Sequence, residues 1–313
     1  MTSSAIHPSR SQPYVGRFAP SPSGPLHLGS MLAALAAWLD ARAHGGCWLL
    51  RMEDLDTPRV QPGAADIICR QLEAFHLHWD GEILWQSRRT EAYREALFTL
   101  ESRGMLFNCQ CSRKALREAD SAESGEPRYP GTCRSLSLPS SATNAIRVRV
   151  SDEPITVNDR ILPSISSHLQ REIGDFVLKR RDGIIAYQLA VVVDDQHQGI
   201  THVVRGADIH SSTARQIWLQ HQLNASTPIY AHTPLLCDPQ ARKLSKQNHA
   251  PAVSLQDPGA TTVYLLQQLN HSPPDDLRKA SVTELLDWAV AHWEIERLRN
   301  YTPLTVGDAE STG

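Results

Sequence analysis

The chain reads as an α/β protein: a parallel sheet with helical crossovers, interrupted by an insertion and closed by a short helical C-terminal part. Three observations carry this reading. Residues 14–52 form a strand–loop–helix–strand unit, compact enough that its two strands must lie parallel. Helix-length and strand-length segments go on alternating after it. Between about Leu106 and Ser167 the character changes, with a polar Gly/Pro/Ser-rich linker over 120–142, before the alternation resumes.

Tyr14–Phe18 is the first strand. It runs into a loop holding Pro20, Pro22, Gly24 and Pro25, then His27-Leu28-Gly29. The Ala/Leu-rich run Ser30 to His44 is a helix, stopped by Gly45-Gly46. Cys47–Met52 (CWLLRM) is the second strand and ends in Glu53-Asp54-Leu55-Asp56; a right-handed crossover is expected between the two. Helices follow at about 62–76 and 88–103, with a short strand and turn in HWDGEILWQS between them. Ala145–Val150 is β-like within the insertion. Strands resume at Asp175–Lys179, Ile184–Val193 and Thr201–Arg205, and Asp208–Leu223 is a helix that Asp208 can cap. Residues 251–300 have helical apolar spacing. The expected organisation is a loose tail (1–13), a first α/β half (14–105), the insertion (106–170), a second half (171–250), a helical subdomain (251–300) and a frayed end (301–313).

Composition narrows the class. With 313 residues, 41% apolar and 21% charged, the chain suits a soluble globular enzyme. A net charge of −3 argues against indiscriminate nucleic-acid binding, though not against a local basic face. No apolar run is long enough to span a bilayer, and the start lacks the apolar core of a secretion signal, so a cytoplasmic protein with no membrane partner is expected. Six cysteines in such a chain should not form a disulfide framework. Cys47 and Cys69 lie in apolar stretches and read as core residues. Cys109, Cys111 and Cys133 instead place three soft ligands within 25 residues, the pattern of a structural zinc site. No histidine lies between His78 and His168, so the fourth ligand must be another type; Glu126 or Asp120 is the ordinary carboxylate choice.

The first loop has the form of an anion site, a rigid turn that delivers a ligand to backbone N–H groups at a helix N-terminus. Far downstream lies a basic loop, Lys243-Leu244-Ser245-Lys246-Gln247. Together RFAPSPSGPLHLG and KLSKQ resemble the two signature elements of class I aminoacyl-tRNA synthetases, and the proline-rich lead-in resembles the glutamyl/glutaminyl branch. Two positions depart from the pattern: Ser30 stands where the first element ends in histidine, and KLSKQ replaces KMSKS with its second lysine kept. Ser30 can still cap the helix and donate to phosphate.

The resemblance implies a Rossmann-like parallel-sheet class I synthetase catalytic domain with a zinc-bearing insertion. ATP, carrying Mg²⁺, would be held by His27, Gly29, Ser30 and Lys246. The catalytic groups would be His27, Lys243 and Lys246, the lysines placing charge on the phosphates in the transition state. Glutamate would be bound by Arg17, Phe18, Ala19, Pro20, Ser21, Glu53, Tyr187 and Arg205, the arginines clamping carboxylates and Glu53 meeting the ammonium. All of these fall at expected strand ends or adjoining loops, where open α/β sheets bind ligands. The C-x-C…Y-x₃-C spacing resembles the zinc element of a truncated glutamyl-tRNA synthetase-like family, the glutamyl-Q tRNA(Asp) synthetases. That likeness adds Tyr129 to Cys109, Cys111 and Cys133, with one structural Zn²⁺ per chain. About 65 residues follow Gln247, too few for the large anticodon-binding domain of full-length relatives. The implied reaction is ATP-dependent activation of L-glutamate and its transfer to queuosine in the anticodon loop of tRNA(Asp). A shortened conventional glutamyl-tRNA synthetase, an adenylate-forming enzyme with a small-molecule acceptor and a non-catalytic RNA-binding relative are the alternatives.

Overall fold

A computed structural model describes residues 13–119, 128–139, 141, 143–237 and 251–301. The first part runs β1 (Val15–Phe18), α1 (Leu28–Ala43), β2 (Cys47–Met52), α2 (Ala64–Ala74), β3 (Leu84–Trp85) and α3 (Thr90–Ser102). β1, β2 and β3 pair in that order, all parallel, with Val15 opposite Cys47 and Arg51 opposite Leu84. The helix expected from Ser30 starts at Leu28, and α1 is buried on almost every side. Its Met31, Leu32, Leu35 and Leu39 share one core with Trp48 and Leu50 of β2, Ile68 and Leu72 of α2, and residues near the C-terminus. An Ala/Leu composition suits this, because small side chains let a central helix be approached from several directions.

The insertion supplies β4 (Leu106–Cys109), α4 (Arg113–Ala119), β5 (Ala145–Val148), the hairpin β6 (Ile155–Val157) and β7 (Ile165–Ser167), α5 (Leu169–Glu172) and β8 (Val177–Lys179). β4, β5 and β8 form an antiparallel sheet, so the antiparallel part of the molecule extends to Lys179.

The α/β alternation then returns with α6 (Tyr187–His197), β9 (His202–Gly206), α7 (Thr213–Gln222) and β10 (Ile229–Thr233). β9 and β10 are parallel, and β9 adjoins β1: the Thr201 amide donates to Val15 O at 2.9 Å. The Val15 amide answers to Thr201 Oγ1 at 2.8 Å. Helices α8 (Pro258–Gln268) and α9 (Val282–Ala291) pack on α1. Asp40, fully buried on α1, joins the parts: it accepts from Tyr14 (2.6 Å), Arg160 of the insertion (2.6 Å) and Trp293 (3.0 Å). No helix among the described residues is long and apolar enough to cross a membrane.

Four expectations need correction. Cys47 and Cys69 are not core residues: Cys47 is exposed at the first position of β2 and Cys69 is only partly buried on α2, because the apolar runs around them turn other side chains inward. The Ile184–Val193 segment is not a strand; from Tyr187 onward it lies in α6. The run Val191–Val193 favours strands locally, but burial of Leu189, Val191 and Val192 against α3 and α7 outweighs that preference. The Asp208 segment opens as a 3₁₀ turn over Ala207–Ser212, and α7 begins at Thr213 with Ser212, not Asp208, at its N-cap position. β10 is an additional strand whose short segment carries no clear strand pattern of its own.

Candidate active site

The carboxyl ends of β1, β2, β9 and β10 and the N-terminus of α1 surround one cavity of about 320 Å³. Its wall includes every described residue expected to touch glutamate or ATP: Arg17, Phe18, Ala19, Pro20, Ser21, His27, Gly29, Ser30, Glu53, Tyr187 and Arg205. Lys243 and Lys246 lie outside the described residues.

Arg17, only 4% exposed, points its Nε at Asp195 Oδ1 (3.3 Å). The same oxygen accepts from Arg51 Nη2 at 2.6 Å, and Arg51 also donates to Gln198. Burial works against a charge on Asp195, yet Arg17 and Arg51 together hold its carboxyl below the ordinary range. Arg205, 5% exposed, is held differently. It donates to His232 Nε2 (3.0 Å), Gln216 Oε1 (2.8 Å), Thr213 Oγ1 (2.9 Å) and the Tyr187 hydroxyl (3.4 Å). Among the described residues no carboxylate contacts it.

Glu53 follows β2, its backbone amide donating to Pro20 O at 3.0 Å, which fixes the β2 end against the first loop. Burial pushes its carboxyl up to about 7, against the opposing pull of Arg51 and Arg17. Such a group is protonated at mildly acidic pH and ionises readily once a cation arrives. Tyr187 reaches the cavity as expected, but from the first turn of α6 and not from a strand end. Burial raises its hydroxyl pKa, so it is a neutral donor there.

His27, and not Ser30, caps α1. The His27 ring accepts from the Ser30 amide at 3.2 Å, and its Nε2 lies 3.0 Å from Ser30 Oγ. Ser30 therefore sits in the first turn of the helix, its hydroxyl beside the histidine ring and the residue lining the cavity. The substitution in the signature element thus leaves a polar, hydrogen-bonded pair at the helix N-terminus, where phosphate oxygens are favoured.

The residues that sequence reasoning missed are those behind the arginines: Asp195 and Arg51 on one side, His232, Thr213 and Gln216 on the other. Arg51 inside an apolar strand and the doubled Asp194-Asp195 after an apolar run were the available signals, since lone charges there must be paired. Asp194 is likewise buried, accepting from Arg89 (2.6 Å), Gln86 (2.8 Å) and Tyr93 (2.8 Å).

In the insertion, the sulfurs of Cys109, Cys111 and Cys133 lie within 4.8 Å of one another. The Tyr129 hydroxyl is 3.7 Å from Cys109 Sγ and accepts from the Cys133 amide at 2.8 Å. Three convergent thiols and a phenol fit the donor set of a thiophilic tetrahedral ion. Arg147 Nε, 3.3 Å from Cys109 Sγ, would stabilise thiolate charge from outside the set. Gly174 permits the arrangement: at φ +74°, a Cβ there would lie 2.4 Å from the Tyr129 carbonyl oxygen. Glu126 and Asp120 lie outside the described residues.

Comparison with known proteins agrees with this geometry. The family described as tRNA synthetases class I (E and Q), catalytic domain, matches residues 14–268. The glutamyl-Q tRNA(Asp) synthetase of Thiobacillus denitrificans is 54% identical over 284 residues, covering 91% of this chain and 94% of that one. The protein of the same name from Dechloromonas aromatica is 49% identical, covering 91% and 95%. Among solved structures, the glutamate-tRNA synthetase of Elizabethkingia anophelis superposes with a TM-score of 0.78 at 24% identity, covering 95% of this chain and 69% of that one, which shows a shared fold. The strand-end cavity, the helix-capping histidine and these matches together place the chain in the glutamyl-Q tRNA(Asp) synthetase family, within the class I E and Q tRNA synthetases.

Proposed function

We propose that this chain activates L-glutamate with ATP and transfers the glutamyl group to queuosine in the anticodon loop of tRNA(Asp). The observation that carries the amino-acid part is Arg205: among the described residues its buried guanidinium is held by neutral groups alone, so an anion in the adjoining cavity would find its charge available. With Arg17 across the same cavity, the site has two cations for two carboxylates and one carboxyl, Glu53, for an ammonium. Glutamate has that charge pattern.

In the first step a substrate carboxylate oxygen attacks the α-phosphorus of ATP. The bond to the bridging oxygen breaks, and pyrophosphate leaves with the electron pair. The chain's contribution is positioning and charge. His27, Gly29 and Ser30 would hold the nucleotide at the α1 N-terminus, Lys243 and Lys246 would neutralise phosphate charge, and Mg²⁺ would arrive bound to ATP. In the second step a hydroxyl oxygen of the queuosine cyclopentene-diol attacks the adenylate carbonyl carbon. The carbon–oxygen bond to phosphate breaks, AMP leaves with the electron pair, and the hydroxyl proton passes to solvent. Cys109, Cys111, Cys133 and Tyr129 would hold one structural Zn²⁺ and so order the insertion.

The acceptor is tested with radiolabelled glutamate, ATP and tRNA from cells that can or cannot make queuosine. Label should appear only on queuosine-containing tRNA(Asp) and should survive removal of the 3′-terminal adenosine. Label lost with that adenosine, or better acceptance by tRNA(Glu), identifies a shortened conventional synthetase instead.

A further inference from the structure

His232 lies on β10, behind Arg205 as seen from the cavity, and is fully buried. Its Nδ1 is 2.5 Å from Asp159 Oδ2, and its Nε2 accepts from Arg205 Nε at 3.0 Å. Asp159 comes from the loop after β6 in the insertion. It is fixed by backbone amides: Ile161 and Leu162 at 2.9 Å and His232 at 3.2 Å donate to its Oδ1. These bonds assign one tautomer, with the proton on Nδ1 pointing to the carboxylate and a lone pair on Nε2 pointing to the guanidinium.

We propose that Asp159 and His232 form a positioning relay that aims Arg205 into the amino-acid cavity, so that His232 acts on glutamate binding only through Arg205. This rests on the reading of Arg205 as a glutamate contact. The other described groups facing the ring are compatible with a neutral imidazole: Thr213 Oγ1 lies 3.3 Å from Nε2, Tyr230 stacks at 6.1 Å, and His210 meets the ring edge-on at 4.8 Å. Burial drives the ring's pKa down to about 4, and Asp159 does not fully offset it. Asp159, His210 and His232 are close enough to hold a metal ion, but the Arg205 guanidinium on His232 Nε2 puts a cation against that set. The relay explains why a carboxylate is spent on a histidine and not on the arginine itself. A direct carboxylate would neutralise Arg205, whereas a neutral imidazole orients it and leaves its charge for the ligand.

The decisive variant is Asp159→Asn. An amide there donates where a carboxylate accepts, so His232 must move its proton to Nε2 and turn an N–H against Arg205. In glutamate-dependent ATP–pyrophosphate exchange, its glutamate KM should rise on the order of tenfold with ATP KM unchanged. His232→Gln keeps an acceptor for Arg205 and should stay within about threefold of the parent, while His232→Leu should match Asp159→Asn. Most telling is the double variant, Asp159→Asn with His232→Gln. With no tautomer left to flip, its KM should fall back to that of His232→Gln alone. If Asp159→Asn leaves glutamate KM unchanged, or if its effect simply adds to that of His232→Gln, the relay is wrong. If Arg205→Ala itself leaves glutamate KM unchanged, the underlying reading of Arg205 is what fails.

Discussion

Arg17 and Arg205 occupy matching places, each the next-to-last residue of a parallel strand, yet the protein holds them in opposite ways. Arg17 faces the buried carboxylate of Asp195, which Arg51 shares. Arg205 faces an imidazole, an amide and two hydroxyls. The first is close to a satisfied ion-pair network, and the second is a buried charge that no carboxylate among the described residues offsets. Were both to contact glutamate as proposed, Arg17 would offer it only part of its charge and Arg205 nearly all of it.

The two arginines should differ most in stability. Asp195→Ala leaves Arg17 and Arg51 buried together without their carboxylate, which should cost about 3–5 kcal/mol. Gln216→Leu removes one neutral acceptor from Arg205 and should cost about 1–3 kcal/mol. Equal losses in denaturant titrations would show that the two arginines are not held differently.

Binding should reverse that order. Arg205→Ala should raise glutamate KM by the equivalent of about 1.5–3 kcal/mol, with ATP KM little changed. Arg17→Ala should raise it less, because Asp195 keeps Arg51 as partner and already absorbs part of the Arg17 charge. A larger effect at Arg17 would assign it the stronger carboxylate contact.

Glu53 sharpens the contrast through pH. Burial pushes its carboxyl up to about 7, and a substrate ammonium bound there as proposed would need it ionised. Glutamate affinity should be flat above about pH 7.5 and fall roughly tenfold per unit below about 6.5, because binding must then expel a proton. Glu53→Gln should bind weakly at every pH and lose this slope. A slope that survives the substitution would have to come from another group.

The smallest effect on the cavity is expected from the cysteine cluster. Purified protein should carry about one zinc per chain, and Cys111→Ser should lose it together with order in the insertion. Tyr129→Phe should weaken zinc retention while leaving glutamate KM unchanged. Full zinc retention in Tyr129→Phe would point to a carboxylate as fourth ligand.

Much of this molecule is legible in its sequence. Two glycines closing an Ala/Leu run bracket α1, and the apolar CWLLRM run marks β2. The cavity wall was legible as well, since a parallel α/β sheet binds ligands at its strand ends, and Arg17, Glu53 and Arg205 stand at such ends. α6 was not, because three consecutive valines carry a strand preference that only its burial between neighbouring helices overrides. The cap of α1 lies three residues before Ser30 for a related reason. A histidine accepts the Ser30 amide only in the ring orientation that the fold imposes.

What the sequence determined by itself is the set of chemical groups and the strand ends that carry them, because local periodicity and turn chemistry act over a few residues. The tertiary structure alone decided how each group is charged and aimed. Arg17 meets Asp195 across 178 residues, and His232 meets Asp159 across 73. Such pairings follow from which elements pack together, and no local pattern encodes them. The difference between a neutralised arginine and an available one is therefore a property of the folded chain.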